Sequence, residues 1–324
     1  MKAVVATGYS ADDPLSCLQV AEHPAPEPQA GWATVRVRAA SLNHHDLWTL
    51  RGVGLLTDRY PRVLGCDGAG TTEDGRRVVL HSVLSTPSFG DETLTEDFSV
   101  LSDLHDGTFA EYVAVPERNL VELPDELTFE QAACLPVAYL TAYRMLFVAG
   151  GLHPGMRVLV QGAAGGVTSA AIVLARGAGC HVAVTSRDER KRRLAAELGA
   201  HEVYEPGARL DRRVHVVVDT VGEATWRHSL RSLERGGAVV VSGATSGAGP
   251  SAELDQMFYR QLRVVGSSMG SRTELAQLLT FLAVTGVRPH IDDVLPLDQA
   301  RIAFARMAEG EVLGKLVLTV PPPD

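Results

Sequence analysis

The chain has 324 residues, 45% hydrophobic and 21% charged, with four cysteines and a formal net charge of −9. That composition fits a folded globular protein of about two domains and excludes a disordered, collagenous or disulfide-stapled chain. The acidic balance argues against a general nucleic-acid binder, and no apolar run reaches the ~18 residues of a membrane span.

The start, MKAVVATGYS, lacks a long apolar stretch and a cleavage site, which leads us to expect a cytoplasmic protein. Cys17, Cys66, Cys134 and Cys180 are widely spaced and form no CxxC pair, so isolated reduced thiols are expected. Of the 30 basic residues only Lys2, Lys191 and Lys315 are lysines.

Residues 1–125 read as strands and turns. Strands are expected at Met1–Ala6, Ala33–Ala40, Val78–Leu80 and Phe109–Val115, from alternating or β-branched runs. Pro24, Pro26 and Pro28 separate the first two, since proline cannot sit inside a central strand. Ser85–Gly107, with Pro87, Gly90 and many acids, reads as an irregular excursion. Thr128–Gly150 is apolar at helical spacing, with Thr128 and Glu130 near its start. Alternation follows: strands at Arg157–Gln161, His181–Thr185, Val214–Asp219, Ala238–Ser242 and Leu262–Gly266, and helices at about 167–177, up to Leu198, and at 224–234. Continuous β-branched strands between helices predict a parallel sheet covered on both faces. Residues 267–324 hold a helix, the segment GVRPHIDDVLPLDQARIAFARM and a final strand, Lys315–Val320.

The strand at Arg157–Gln161 runs straight into Gly162-Ala163-Ala164-Gly165-Gly166-Val167 and then a helix. Strand, glycine turn and helix start make a phosphate cradle, because glycine admits close backbone approach and the helix N–H groups favour an anion. An NAD-preferring fold places an acid about 20 residues on, to bond the ribose 2′-hydroxyl. Here the next strand ends in Thr185-Ser186-Arg187, within the cation-rich stretch SRDERKRR. Ser186, Arg187 and Lys191 can meet a 2′-phosphate, which predicts NADPH; Arg192 and Arg193 read as a solvated helix face.

Several motifs stand in a fixed order along the chain. They are Asn43-His44-His45-Asp46, Leu64-Gly65-Cys66-Asp67-Gly68-Ala69-Gly70, Asp106-Gly107-Thr108-Phe109-Ala110-Glu111-Tyr112, Leu140-Thr141-Ala142-Tyr143, the glycine turn and Gly314-Lys315. On these the chain resembles the medium-chain dehydrogenase/reductase superfamily, in its zinc-independent quinone oxidoreductase-like branch. The resemblance implies an α/β protein. A GroES-like β-rich catalytic domain would comprise 1–125 and 267–324, and a doubly wound Rossmann domain 126–266. It also implies a homodimer, and cofactor contacts at Thr141, Gly243, Ala244, Thr245, Ser267, Met269 and Lys315. Asp219–Gly222 would end the third strand at the cofactor cleft.

Zinc-dependent relatives take their catalytic ligands from three positions that fall here on Asn43, Cys66 and Val137, two of which are not ordinary zinc ligands. The place of a structural-zinc lobe, 81–107, has no cysteine. The expectation is therefore no metal, the alternative being a site improvised from His44, His45, Cys66, Asp67 and His81. The reaction left is hydride delivery from NADPH to a quinone or an α,β-unsaturated carbonyl. Asn43 would bond the acceptor carbonyl, and His44 or His45 would give a proton. Asp46 would buttress the turn, and Trp48, Leu55 and Met257 would shape the pocket. An enoyl-thioester reductase, a zinc-dependent alcohol dehydrogenase with an improvised site and a non-catalytic NADPH-binding protein are the alternatives.

Overall fold

The computed structural model describes residues 1–54, 57–86 and 90–320, so the readings at Leu55 and Pro87 lie outside the described residues. The first elements are β1 (Lys2–Ala6), β2 (Leu18–Glu22), β3 (Trp32–Ser41), α1 (His44–Leu50), β4 (Arg62–Val63), β5 (Asp67–Thr72) and β6 (Arg77–Leu80). Then come β7 (Val83–Leu84), β8 (Ser99–Val100), β9 (Tyr112–Pro116) and β10 (Leu120–Glu122). β9 starts later than expected because Phe109 and Ala110 are taken up elsewhere: Phe109 bonds Leu64 and Val4, and Ala110 bridges Ala3.

The helical run expected at 128–150 is present but not uniform. α2 (Phe129–Ala133) is capped by Thr128, whose hydroxyl accepts from the Gln131 N–H at 3.2 Å. π-helical turns at Leu135–Tyr139 and Arg144–Ala149 flank α3 (Leu140–Tyr143). The alternating part is β11 (Arg157–Gln161), α4 (Gly166–Gly177), β12 (His181–Thr185), α5 (Glu189–Glu197), β13 (Glu202–Tyr204) and β14 (Val214–Asp219). It continues through α6 (Glu223–Ser232), β15 (Leu233–Val241), α7 (Leu254–Arg260) and β16 (Arg263–Gly266). The chain ends with α8 (Arg272–Thr285), β17 (Ile291–Pro296), α9 (Ala300–Glu309) and β18 (Lys315–Thr319). β15 begins at Leu233 rather than Ala238, so the preceding helix stops at Ser232.

The chain divides into two compact units. The first takes Met1–Ala138, Gly270–Ala283 and the chain from Ile291 onward; the second takes Tyr139–Met269 and Val284–His290. The divisions thus fall after Ala138 and Met269, where the sequence reading put them at 125 and 266.

In the first unit a seven-stranded sheet runs β10-β6-β5-β3-β18-β17, with β9 also on β3. β3 lies antiparallel between β5 and β18, with Ser41 opposite both Asp67 and Val317. This register brings the start of the last strand beside the end of the third. Apolar side chains of the sheet, including Val35, Val37, Leu80 and Leu318, share one core with Phe304 of α9, which meets Phe109 edge-on at 6.1 Å.

In the second unit six parallel strands run β13-β12-β11-β14-β15-β16. The chain starts at the centre, builds outward through β12 and β13, then returns to β14. Such a reversal leaves a crevice at the carboxyl ends of β11 and β14, where open α/β sheets bind ligands. Leu159, Ala183, Val217, Leu230 and Val239 form its core. All four cysteines are free thiols. Among the described residues no helix is long and apolar enough to cross a membrane.

Gly70 of β5 passes so close to β3 that an added Cβ would run into the Arg36 carbonyl. Overpacking against backbone has no flexible side chain to yield. Gly70→Ala is expected to lower unfolding free energy by about 2 kcal/mol or more in urea titrations, whereas Gly8→Ala, with open space around its Cβ position and no left-handed backbone, should lose less.

Candidate functional site

The motif residues of the first unit converge on a buried polar cluster. Asp67, at the start of β5, is fully shut off from solvent. Its Oδ2 accepts from Ser41 Oγ at 2.7 Å, Asn43 Nδ2 at 2.8 Å and Lys315 Nζ at 3.0 Å, and its Oδ1 from the Val137 N–H at 2.8 Å. Lys315, at the start of β18, also donates to the Leu42 carbonyl and to Asn43 Oδ1, both at 2.7 Å. An ammonium has three donors, and here all three are met. The cluster thus takes up all three Lys315 donors.

Asn43 is held in the same cluster. Its Oδ1 faces Lys315, which can only donate, so its Nδ2 is turned to Asp67 and, at 3.4 Å, to the Ser41 carbonyl. Both amide hydrogens are occupied, which leaves none for an acceptor carbonyl. Asp46 does buttress the turn: its carboxylate accepts from the Asn43 N–H at 2.8 Å and the Gly65 N–H at 3.2 Å. Burial pushes its carboxyl up to about 6.

The two histidines diverge. His44 is exposed in the first turn of α1, its ring 6.2 Å from Trp48. His45 turns inward, its Nε2 3.2 Å from Asp103 Oδ1. An anionic Cys66 sulfur first, and then the Asp103 carboxylate, hold this imidazole above its ordinary 6.5, against the opposing effect of burial. Burial also pushes the Cys66 thiol up. A neutral thiol leaves Asp103 as the anion facing the ring near neutral pH. Met257, expected near the pocket, lies half-buried on α7 in the second unit.

In the second unit Gly162 leaves β11 with φ +91°, a conformation that side chains rarely adopt. α4 then starts behind Gly165 with no side-chain cap, so its first-turn N–H groups stay available to an anion. Ala163 and Ala164 are buried, and Gly166 and Val167 open the helix. A buried chain of hydrogen bonds braces this turn. Thr185 Oγ1 donates to Gln161 Oε1 at 2.5 Å, Gln161 Nε2 to Ser229 Oγ at 3.0 Å, and Ser229 Oγ to Asp219 Oδ2 at 2.6 Å. Asp219 also accepts from the Val221 and Gly222 N–H groups at 2.9 and 3.0 Å, so it holds the crevice wall rather than offering itself to a ligand.

Ser186 and Arg187 follow β12 and Lys191 lies in the first turn of α5, with Ser186 buried, Lys191 half-buried and Arg187 exposed. Asp188, the nearest acid, caps α5 by accepting from the Lys191 N–H at 3.2 Å. Arg192, read as a solvated residue, instead donates to the Ser186 carbonyl at 2.6 Å. Gly243, Ala244 and Thr245 follow β15, with Ala244 and Thr245 exposed. Ser267 and Met269 follow β16; Ser267 Oγ is buried without a partner among the described residues, and Met269 is left-handed at φ 54°. Thr141 is buried in α3. The open helix start and the orphaned Ser267 hydroxyl fit a dinucleotide. Asp67 is expected only as a member of an improvised metal site, and Ser41 and Asp103 not at all; they meet Asn43, Asp67 and His45 across long sequence gaps that leave no local pattern.

Residues 29–125 match the alcohol dehydrogenase GroES-like domain family, and residues 166–284 the zinc-binding dehydrogenase family. The chain is 31% identical to an alcohol dehydrogenase of Geobacillus stearothermophilus, over 94% of this chain and 96% of that one. It is 27% identical to an acryloyl-coenzyme A reductase of Sulfurisphaera tokodaii, over 98% and 99%. The crystal structure of an NAD-dependent alcohol dehydrogenase superposes with a TM-score of 0.91 at 34% identity, covering 99% of this chain and all of the other. The zinc that one family description names does not suit the residues present. An amide and an ammonium occupy the cluster, Asp67 is saturated, and the Cys66 thiol donates to the Leu101 carbonyl at 3.1 Å. Among the described residues no three His, Cys, Asp or Glu side chains could hold a metal ion.

Removing one partner of a buried pair leaves the other charge without compensation. Lys315→Met is expected to cost about 3–5 kcal/mol in chemical denaturation. Lys315→Met combined with Asp67→Asn should cost less than Lys315→Met alone; an equal or larger loss would show that charge pairing is not what holds the cluster.

Proposed function

The chain belongs to the medium-chain dehydrogenase/reductase superfamily, and within it we propose a metal-independent reductase that uses NADPH to reduce a quinone or an α,β-unsaturated carbonyl. The observation that carries this reading is the closed Asp67–Lys315–Asn43 cluster, whose donors and acceptors satisfy one another. With no Lewis acid to polarise an alcohol, an acceptor that is already electrophilic is the better substrate. When bound, the reduced dinucleotide supplies the hydride.

The chain's own part is to place the acceptor, stabilise its oxygen as charge develops and give a proton. His45 takes both electrostatic tasks. An imidazolium is a hydrogen-bond donor to an enolate or hydroquinone oxygen, and then an acid toward it. Trp48 and Leu104, both exposed and apolar, stand three residues after His45 and one after Asp103. They suit an apolar acceptor.

Arg187 and Lys191 supply the preference for NADPH. The first acid after β12, Asp188, commits one carboxylate oxygen to capping α5. The likeness to the acryloyl-coenzyme A reductase supports a second reading, an enoyl-thioester acceptor. Consumption of NADPH over a panel of quinones, enones and enoyl thioesters separates the two, and cofactor binding without turnover on any of them would sink both. Arg187→Ala should raise the KM for NADPH about tenfold, the loss of one charge-assisted hydrogen bond, and leave the KM for NADH within about twofold. A wild-type enzyme that prefers NADH would overturn the NADPH reading.

A second copy of the chain is the proposed partner. β16 is an edge strand, and Val264 on it and Leu254, Phe258 and Tyr259 on α7 are exposed. Unpaired edges and apolar patches are sites of association. Light scattering should give a mass of about twice 34.6 kDa, and Val264→Arg should shift it toward the monomer. A monomeric wild type would remove the proposal.

A further inference from the structure

We propose that Asp103 is a positioning residue that aims and charges His45, on a turn built around the Cys66 side chain. The chemistry rests on the reductase reading; the geometry does not.

His45 Nε2 and Asp103 Oδ1 lie 3.2 Å apart. Both atoms are shut off from solvent, and neither has a well-directed hydrogen bond within the described residues. Two buried polar atoms of opposite kind, close but misaligned, are costly unless the ring is charged or turns toward the carboxylate. Catalytic hydrogen bonds often have this loose form before a substrate tightens them.

The turn carrying Asp103 is held from several sides. Ser102 has φ 74°, a left-handed conformation that a non-glycine residue keeps only under constraint. Leu101 donates its N–H to the Ser82 carbonyl at 3.0 Å and accepts from the Cys66 thiol at 3.1 Å. Ser102 Oγ lies 3.6 Å from the same sulfur. Asp103 closes the turn with its own N–H on the Val100 carbonyl at 3.1 Å, while its Oδ2 accepts from the Val100 N–H at 3.3 Å. The two carboxylate oxygens therefore divide the work: Oδ2 ties the side chain to the turn, and Oδ1 faces His45.

Three ionisable groups act on the ring: Cys66, Asp103 and Asp46. Cys66 is 1% exposed and its S–H is spent on Leu101, so it braces the turn and is not a nucleophile. Asp46 is engaged with the Asn43 and Gly65 N–H groups. Asp103 remains as the anion free to stabilise an imidazolium. In the reaction the acceptor gains a hydride from the dinucleotide and a proton from His45, and the neutral ring regains its proton from water.

The test reads His45 directly. The imidazole is titrated by NMR in the wild type and in Asp103→Asn, with His45→Gln assigning the signal. The carboxylate raises the pH at which His45 loses its proton, so Asp103→Asn should lower it by about one pH unit or more, and Asp103→Glu should recover part of the shift. The upper limb of the kcat/KM profile with NADPH and 1,4-naphthoquinone should move down by the same amount. Should Asp103→Asn not fold, Ser102→Gly, which relaxes the turn, should shift both readouts in the same direction by less. An unchanged His45 titration, or a shifted titration with an unmoved rate limb, overturns the proposal. A shifted titration in a protein that reduces none of the acceptors confirms the pairing and removes the reductase reading instead.

Discussion

The ammonium of Lys315 against the carboxylate of Asp67 is the constraint on which the first unit depends. Their side chains are 2% and 0% exposed. Removing two charges from water to this degree costs several kcal/mol for each, so the pair is tolerable only where the remaining donors and acceptors are also met. That requirement fixes the register. Ser41 must stand opposite Asp67 on one side and Val317 on the other. A slip of one residue in β18 would turn Lys315 to the opposite face and leave Asp67 without its cation. Apolar burial alone tolerates such errors better than a saturated ion pair does. The pair also orients Asn43, because a lysine can only donate and the amide oxygen must face it. Asn43 precedes α1, and its N–H is held by Asp46 inside that helix. The direction of His45 is thus set, two residues on, by this cluster.

The second unit solves a related problem with neutral groups around one acid. Its three central strands end in Gln161, Thr185 and Asp219, and these side chains form one chain of hydrogen bonds through Ser229 of α6. The strand ends are thereby tied to each other and to the helix behind them. Asp219 further holds the Val221 and Gly222 N–H groups, which shapes the turn into α6. The loops that follow stay open while their roots are rigid, which is how a scaffold presents a binding loop. A half-satisfied version of either network would cost more than an apolar one.

Elements with a strong local signal were legible in the sequence. β11, β12 and β14 are β-branched runs with the expected bounds, and the glycine turn announces itself by composition and context. Elements that depend on tertiary contacts were not. β13 has three residues, too few for a pattern, and is a strand because it pairs with β12 at the sheet edge. β15 contains Arg235, Gly236 and Gly237, which lie between the expected helix and the expected strand, yet β14 pairs on either side of them. α7 is flanked by left-handed Glu253 and Gln261 and exposes its apolar residues, so it lacks the amphipathic signature of a packed helix. α9 lay inside a segment read without assigning a helix. In the site, the motifs single out Asn43 and Lys315 but not the partners that hold them. A motif shows that a residue matters, but the acceptor that claims its hydrogen sits 24 positions away for Asn43 and 248 for Lys315.

The residue type at position 315 carries one more piece of physics. Only three of the 30 basic residues in this chain are lysines, so arginine is the usual solution wherever a cation is needed. At Lys315 it would not serve. The three acceptors are the Leu42 carbonyl, Asn43 Oδ1 and Asp67 Oδ2, at 2.7, 2.7 and 3.0 Å from a single nitrogen. A compact ammonium directs its three hydrogens toward three points around one atom. A guanidinium spreads five donors over a plane and would leave several of them buried without partners. It is also too large for a cavity whose present occupant is 2% exposed. Arg301 and Arg306, in the same unit, show the contrast, since each is partly exposed and reaches its acceptors along the rim of the fold. The scarcity of lysine in the composition is therefore informative at this position: where the cation must be a point inside the protein, the drift toward arginine stops.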